Sequence, residues 1–373
     1  MDENKLQIFT SLKLLLSTDG FGPRRILNLL SKFRSIENIF NSNFHSLIET
    51  HGFNEISANK LLKNLDNFES VKRECVEEIE KLTKMDAEVL TYFDEDYPNL
   101  LKEIYNPPLL LYTKGNIKNL VNYTLAVVGT RNPTNYGRIQ TEKIVKELCE
   151  KGITIVSGLA RGIDSSAHTA ALKSGGKTVA VIGSGLDVIY PPENRKLFNS
   201  ICENGTVISE YELGAKPDAV NFPKRNRIIS GLSLGTLVSE TKLNGGAMQT
   251  AAFALDQNRE VFAIPGNLGI NQSEGTNLLI QKGNAKLVTN AEDVLVELNL
   301  QLKPETGQNI PNQNIDLNLF EEKILQVINK EPIHVDEIAI KTKISTTDCL
   351  VNLLSLEFKG LVKQLPGKVF STI

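Results

Sequence analysis

The sequence predicts an α/β protein: a doubly wound parallel sheet, preceded by an all-α domain and followed by a winged helix. Three observations carry that prediction. Seven short apolar, β-rich runs recur between residues 125 and 288, most of them separated by helical patterns rich in Ala, Leu and Lys. Strands that are apolar throughout belong to a parallel sheet covered on both faces. Ahead of them, residues 5–82 read as helical without a strand, and after them residues 317–373 read as three short helices and a hairpin.

Taken in order, Leu12, Leu15 and Leu16 end a first helix, which Asp19-Gly20-Phe21-Gly22-Pro23 breaks. Ile26, Leu27, Leu29 and Leu30 form the next apolar stripe, and His51-Gly52-Phe53 repeats the break in weaker form. Helix, Gly-x-Gly, helix is either a plain bundle turn or a hairpin whose backbone amides face a phosphate. Residues 1–84 are therefore expected to form a helix-hairpin-helix or SAM-like domain. The strands of a Rossmann-like domain spanning 85–299 are expected at Leu125–Val128, Ile153–Val156, Val179–Ile182, Thr206–Ile208, Leu234–Val238, Val261–Ile264 and Leu287–Val288. Polar residues 300–316, with two prolines, read as a linker. In the winged helix of 317–373, Ser345 caps the third helix and Pro366-Gly367 turns the hairpin. No Arg or Lys lies between Ser345 and Glu357, which argues against tight duplex binding by that helix.

A chain of 373 residues is long enough for two or three domains. Its net charge of −3 supplies no general attraction to nucleic acid or membrane, so any polyanion site must be built locally. Cys75, Cys149, Cys202 and Cys349 form no Cys-x-x-Cys pair, which predicts free thiols in a reducing cytoplasm and no zinc knuckle. The start, Met-Asp-Glu-Asn-Lys, lacks signal-peptide character, and no apolar run approaches a membrane span. A cytoplasmic protein without membrane partner, metal or cofactor is expected. A P-loop is absent, and Gly183-x-Gly185 has Val188 where a dinucleotide fingerprint needs its third glycine.

The local charge stands out at Asn221-Phe-Pro-Lys-Arg-Asn-Arg-Ile-Ile-Ser-Gly231, where Lys224, Arg225 and Arg227 surround Asn226. No carboxylate occurs between Asp218 and Glu240. Three cations after a helix-starting Pro223 make either a solvated helix end or a phosphate site. Four strand ends run into small or glycine-rich turns: Gly129-Thr130-Arg131, Ser157-Gly158-Leu-Ala-Arg161-Gly162, Gly183-Ser-Gly185, and Thr241-Lys242-Leu-Asn-Gly245-Gly246. In an open parallel sheet such turns gather at the carboxyl edge, where glycine admits a ligand to the backbone amides. Four on successive strands, two with Arg, point to a phosphate-rich ligand. Asp164 and His168 are one helical turn apart, placed for a local hydrogen bond, a base and its orienter, or metal ligation. Glu210 and Glu240 each follow a strand, available for acid–base work or for pairing with arginine. No nucleophile, base and orienter form a set, so no catalytic residue is assigned.

These segments resemble the DNA-processing protein A (DprA/Smf) family. The resemblance rests on Gly129-Thr-Arg131, Ser157-Gly-Leu-Ala-Arg-Gly-Ile-Asp164, Ala167-His-Thr-Ala-Ala-Leu172 and Gly183-Ser-Gly-Leu-Asp187 with Tyr190-Pro191. It continues through Phe222-Pro-Lys-Arg-Asn-Arg-Ile-Ile-Ser-Gly231, Val261-Phe-Ala-Ile-Pro-Gly266 and Gly275-Thr-Asn-Leu-Leu-Ile280. It implies a non-enzymatic protein that binds single-stranded DNA, loads a RecA-type recombinase during natural transformation and forms a homodimer through its sheet domain. The DNA-lining positions it implies are Gly129, Thr130, Arg131, Ser157, Gly158, Lys224, Arg225, Asn226, Arg227 and Lys242, and the glycine turns add Arg161, Gly245 and Gly246 as candidates. Two departures are Thr130, where Ser is usual, and the stretch from Lys242 to Thr250, so the resemblance assigns no contacts from Asn244 to Gln249. The rival is a LOG-type phosphoribohydrolase, which also carries Gly-Gly near a strand end. Here Gly245-Gly246 runs into Ala-Met-Gln-Thr-Ala-Ala, with no counterpart of the catalytic glutamate.

Overall fold

The computed structural model describes residues 2–120, 123–298, 317–328, 333–358, 361–365 and 369–372. The expected linker at 300–316 and the turn at Pro366-Gly367 lie outside them. The chain divides into two compact units, 1–305 and 306–373.

The first unit opens with six helices: α1 (Glu3–Ser17), α2 (Pro23–Phe33), α3 (Ile36–Phe40), α4 (Phe44–Ile48), α5 (Glu55–Leu65) and α6 (Phe68–Lys84). Asp2, Ser35, Asn43 and Asn54 cap α1, α3, α4 and α5 by accepting backbone N–H groups of the first turn. Both glycine breaks turn on left-handed backbone, Gly20 at φ +82° and Gly52 at φ +83°, and the two turns meet through an edge-to-face Phe21–Phe53 contact.

The sheet follows. Its elements are β1 (Ala87–Thr91), α7 (Asn99–Lys102), β2 (Leu110–Gly115), β3 (Thr124–Val128), α8 (Asn135–Glu150), β4 (Thr154–Ser157), α9 (Ile163–Lys173), β5 (Thr178–Ile182), α10 (Arg195–Asn204), β6 (Thr206–Ser209), α11 (Asn221–Gly231), β7 (Gly235–Val238), α12 (Gly246–Asp256), β8 (Glu260–Ala263), α13 (Asn271–Gln281), β9 (Lys286–Leu287) and α14 (Ala291–Glu297). The strand order is β1-β2-β6-β5-β4-β3-β7-β8-β9. All seven anticipated strands are present and parallel. Two more, β1 and β2, extend one edge in antiparallel pairing, so the sheet is mixed.

Burial on both faces explains the continuous apolar strands. Ala126, Val128, Val156, Val179, Val181 and Ile208 share a core with Ile228, Ile229, Ala251 and Ala254 of α11 and α12. The alternate residues Leu125, Val127 and Ile155 pack against α8, α9 and α14. Ala180, Ile182 and Val207, with Leu110 and Tyr112, join the core of the N-terminal helices, so helices and sheet are fused rather than strung together.

The order reverses between β3 and β7: the chain steps outward from β3 through β4 and β5 to β6, then returns to lay β7 on the other side of β3. A reversal of this kind opens a crevice at the carboxyl ends of the two strands, where ligands of open α/β sheets bind.

The second unit contains α15 (Leu319–Leu325), β10 (Ile333–His334), α16 (Val335–Thr342), α17 (Thr346–Phe358), β11 (Val362–Leu365) and β12 (Val369–Thr372). Its three helices and β-ribbon surround Ile324, Ile338, Leu353, Val362 and Phe370, and β10 adds a third strand that sequence reading missed. Ser345 Oγ accepts from Asp348 N, as a cap of α17 should.

Candidate nucleic-acid interface

The crevice at the β3/β7 reversal is an open basin of about 560 Å³. Its two walls are tied together directly: Thr130 N donates to Glu240 O at 2.7 Å, and Ser239 N to Val128 O at 3.0 Å. Glu240 is buried and accepts from Thr134 N (2.8 Å) and Thr134 Oγ1 (2.5 Å), which fixes the turn carrying Arg131. Gly137 lies so close to that carboxylate that a Cβ there would overlap it. The pairing of Glu240 is thus with a threonine and a backbone amide.

Eight of the thirteen positions singled out from sequence line the basin: Gly129, Thr130, Arg131, Arg225, Asn226, Lys242, Gly245 and Gly246. Arg131 and Lys242 are exposed, and neither pairs with a carboxylate among the described residues. The helix α12 starts at the basin wall with Gly245 as an N-cap that offers no side-chain acceptor. Met248 N donates to Gly245 O at 3.0 Å, which leaves the first two N–H groups, of Gly246 and Ala247, without intrahelical partners to add positive potential there. Gly158 and Arg161 line a small adjoining hollow together with Arg131, Tyr190 and Phe222.

The remaining positions are placed differently. Ser157 is buried, its hydroxyl donating to Val127 O at 2.6 Å, and serves the sheet. Arg161 is exposed but ion-paired with Glu193. Lys224 is exposed on α11, away from the basin lining.

The two arginines of the basic run are set inward rather than displayed on the surface. Arg225 is only 4% exposed and lies in the basin floor, with Nη1 donating to Val181 O at 2.8 Å. A Cβ at Gly158 would overlap its guanidinium, so that glycine is required by the arginine. Burial pulls the Arg225 guanidinium down to about 10, opposed by the charge of Asp164. Burial in turn raises the Asp164 carboxyl above its ordinary value, against the pull of Arg225 and the amides of Ala160 and Gly158. Arg227 turns away from the basin: Nη2 donates to Glu210 Oε1 at 2.5 Å, and the side chain is 11% exposed. The helix also begins at Asn221, two residues before Pro223, so the cations occupy its second turn rather than its tip. Proline is tolerated there because first-turn amides have no intrahelical acceptor.

His168 is fully buried, with Nδ1 at 2.7 Å from Thr178 Oγ1, and burial holds it down to about 3. Asp164 accepts from Gly158 N (3.2 Å) and Ala160 N (3.4 Å), bracing the turn after β4. His168 lies outside the basin lining, and Asp164, which borders the basin, is engaged by the two loop amides. Sequence reading undervalued Tyr190, whose ring lies 5.5 Å from that of Phe222, while Arg131 sits over Phe222 at 5.7 Å. Its signal was available in the Tyr190-Pro191 motif.

Comparison with known proteins identifies the family. The profile of the DNA recombination-mediator protein A family matches residues 88–299, more than half of the chain. The chain belongs to the DNA recombination-mediator protein A (DprA) family. The DprA winged helix domain matches residues 311–368, and a SAM-like helix-hairpin-helix tandem matches 12–67. Protein Smf of Synechocystis is 35% identical over 93% of this chain and 94% of its own length. The DNA processing protein DprA of Streptococcus pneumoniae is 48% identical over 55% of this chain and 72% of its own. A crystal structure of S. pneumoniae DprA superposes with a TM-score of 0.68 at 37% identity, covering 77% of this chain and 97% of that one. The DNA processing protein A of Helicobacter pylori, described in connection with its single-stranded DNA binding mode, gives 0.53 at 33% identity, over 58% and 97%.

Proposed function

We propose that this protein binds single-stranded DNA in the β3/β7 basin, protects incoming strands, and loads a RecA-type recombinase in natural transformation and recombination. The observation that carries the reading is the pairing of two exposed cations, Arg131 and Lys242, with open helix amides at the sheet's reversal point. Phosphates lie along these groups, and Phe222 with Tyr190 offers a stacking face beside them. The single-stranded DNA binding mode of the H. pylori relative points to the same ligand. Non-enzymatic action fits the lining: its one carboxylate among the described residues, Asp164, is occupied with loop amides. Residues 1–84, 85–299 and 317–373 act as three functional regions, and a homodimer in the cytoplasm is the working form. No described helix is long and apolar enough to cross a membrane.

A salt titration with poly-dT tests the site. Each phosphate contact on a single strand contributes about −0.7 to the slope of log K against log salt. A steep slope supports the basin; a flat one removes it. Competition among single strands, duplex and mononucleotides separates this function from the phosphoribohydrolase alternative, as release of free base from AMP would establish the latter. Recombinase loading is read by filament assembly on strands coated with a single-strand-binding protein, with and without this chain. Sedimentation equilibrium reads the dimer.

A further inference from the structure

We infer that Glu78, on α6 of the N-terminal helical region, is a positioning residue for the basin, a deepening that rests on the single-strand reading above. Residues 210–220 connect β6 to α11, and Pro217 and Ala219 of that loop line the basin immediately before the helix that supplies Arg225 and Asn226. The loop is held from both sides. From the sheet, Asp187 accepts from Gly214 N at 2.8 Å, and Gly185 N donates to Ala215 O at 2.9 Å. From the helices, Glu78 Oε1 accepts from Leu213 N at 3.3 Å.

Glu78 is 6% exposed, an unusual setting for a carboxylate unless it is paired. Its other oxygen takes Lys13 Nζ of α1 at 2.6 Å, and the same ammonium reaches Glu212 at 3.1 Å. Glu78 therefore joins two helices of the N-terminal region to the loop at successive residues, Glu212 and Leu213. Beside this junction lies a hollow of about 310 Å³ bordered by Lys13, Leu16, Tyr112, Glu210 and Tyr211. Leu213 also packs against the core of the N-terminal helices, and the Glu78 carboxylate adds a directional contact to its backbone. Glu78 lines neither the basin nor its adjoining hollow.

The test uses the full chain and labelled oligo-dT. Glu78→Ala raises the dissociation constant about five-fold and leaves the salt slope unchanged, because no phosphate contact is lost. Glu78→Gln keeps one oxygen for Leu213 N but sets its amide NH2 against the Lys13 ammonium, so its dissociation constant falls between those of wild type and the alanine variant. Amide hydrogen exchange of residues 213–220 speeds up in the alanine variant alone. An alanine variant that binds as tightly as wild type, a glutamine variant that falls equally far, or unchanged exchange in the loop would overturn the proposal. Should the wild-type protein itself ignore oligo-dT, the basin reading falls, whereas loop exchange in the free protein still decides the role of Glu78.

Discussion

The turns after β3 and β7 and the first half of α11 carry the same kind of side chain to opposite ends. Arg131 and Lys242 stand exposed at the basin wall without carboxylate partners among the described residues. Arg225 and Arg227, which dominate the sequence by their density, are drawn inward, one onto Val181 O beside Asp164 and the other onto Glu210. The availability of a positive charge is decided by acceptors that arrive from elsewhere in the chain, and a cluster of basic letters does not reveal it. The basin owes its positive wall to two scattered residues and its rigid floor to the conspicuous run.

The sharpest way to break this comparison is to remove Arg225. Leucine there deprives Val181 O of its donor and leaves the buried Asp164 carboxylate with loop amides but no compensating positive charge, and should lower stability by about 3 kcal/mol in urea unfolding. Lys242→Leu, at an exposed position, should stay within about 0.5 kcal/mol. Equal stabilities would dissolve the distinction between floor and wall.

A second effect comes from His168 in the buried layer, held down to about 3. In the unfolded chain it takes up a proton as pH falls through its ordinary 6.5, which the folded form does not. Stability therefore drops on acidification through that window, by about 2 kcal/mol from pH 7 to 5 for one such group. His168→Gln should flatten the profile there; an unchanged profile would show that the imidazole is not held neutral. The raised Asp164 carboxyl works with the opposite sign, favouring the folded state as it protonates at lower pH.

On binding, Arg131→Ala should weaken oligo-dT about tenfold, or about 1.4 kcal/mol. It should also reduce the salt slope by about 0.7. Arg227→Ala should leave that slope intact, since its guanidinium serves Glu210. A reduced slope for Arg227→Ala would return that residue to the interface. The smallest change is expected from deleting residues 300–373, which should alter single-strand affinity less than two-fold, because α17 offers no basic side chain between Ser345 and Glu357.

Much of this was legible from the letters. The parallel strands declared themselves because burial on both faces demands unbroken apolar runs, as in Leu125–Val128. The glycine turns were legible because close approaches, such as Gly158 beneath Arg225, exclude a Cβ. The strands β1 and β2 were not, since Ala87–Thr91 is partly exposed and its pairing partner lies beyond three prolines. The inward setting of Arg225 and Arg227 was not legible for a related reason. Their partners, Val181, Asp164 and Glu210, come from other strands and turns, and helical periodicity says nothing about them.

The aromatic pair at the basin rim gives the protein a practical property. The chain contains no tryptophan, so Tyr190→Trp or Phe222→Trp would install a solitary indole where the two rings meet at 5.5 Å. Its emission would report occupancy directly, without a dye on the nucleic acid, and stopped-flow quenching could then time the arrival and departure of a strand.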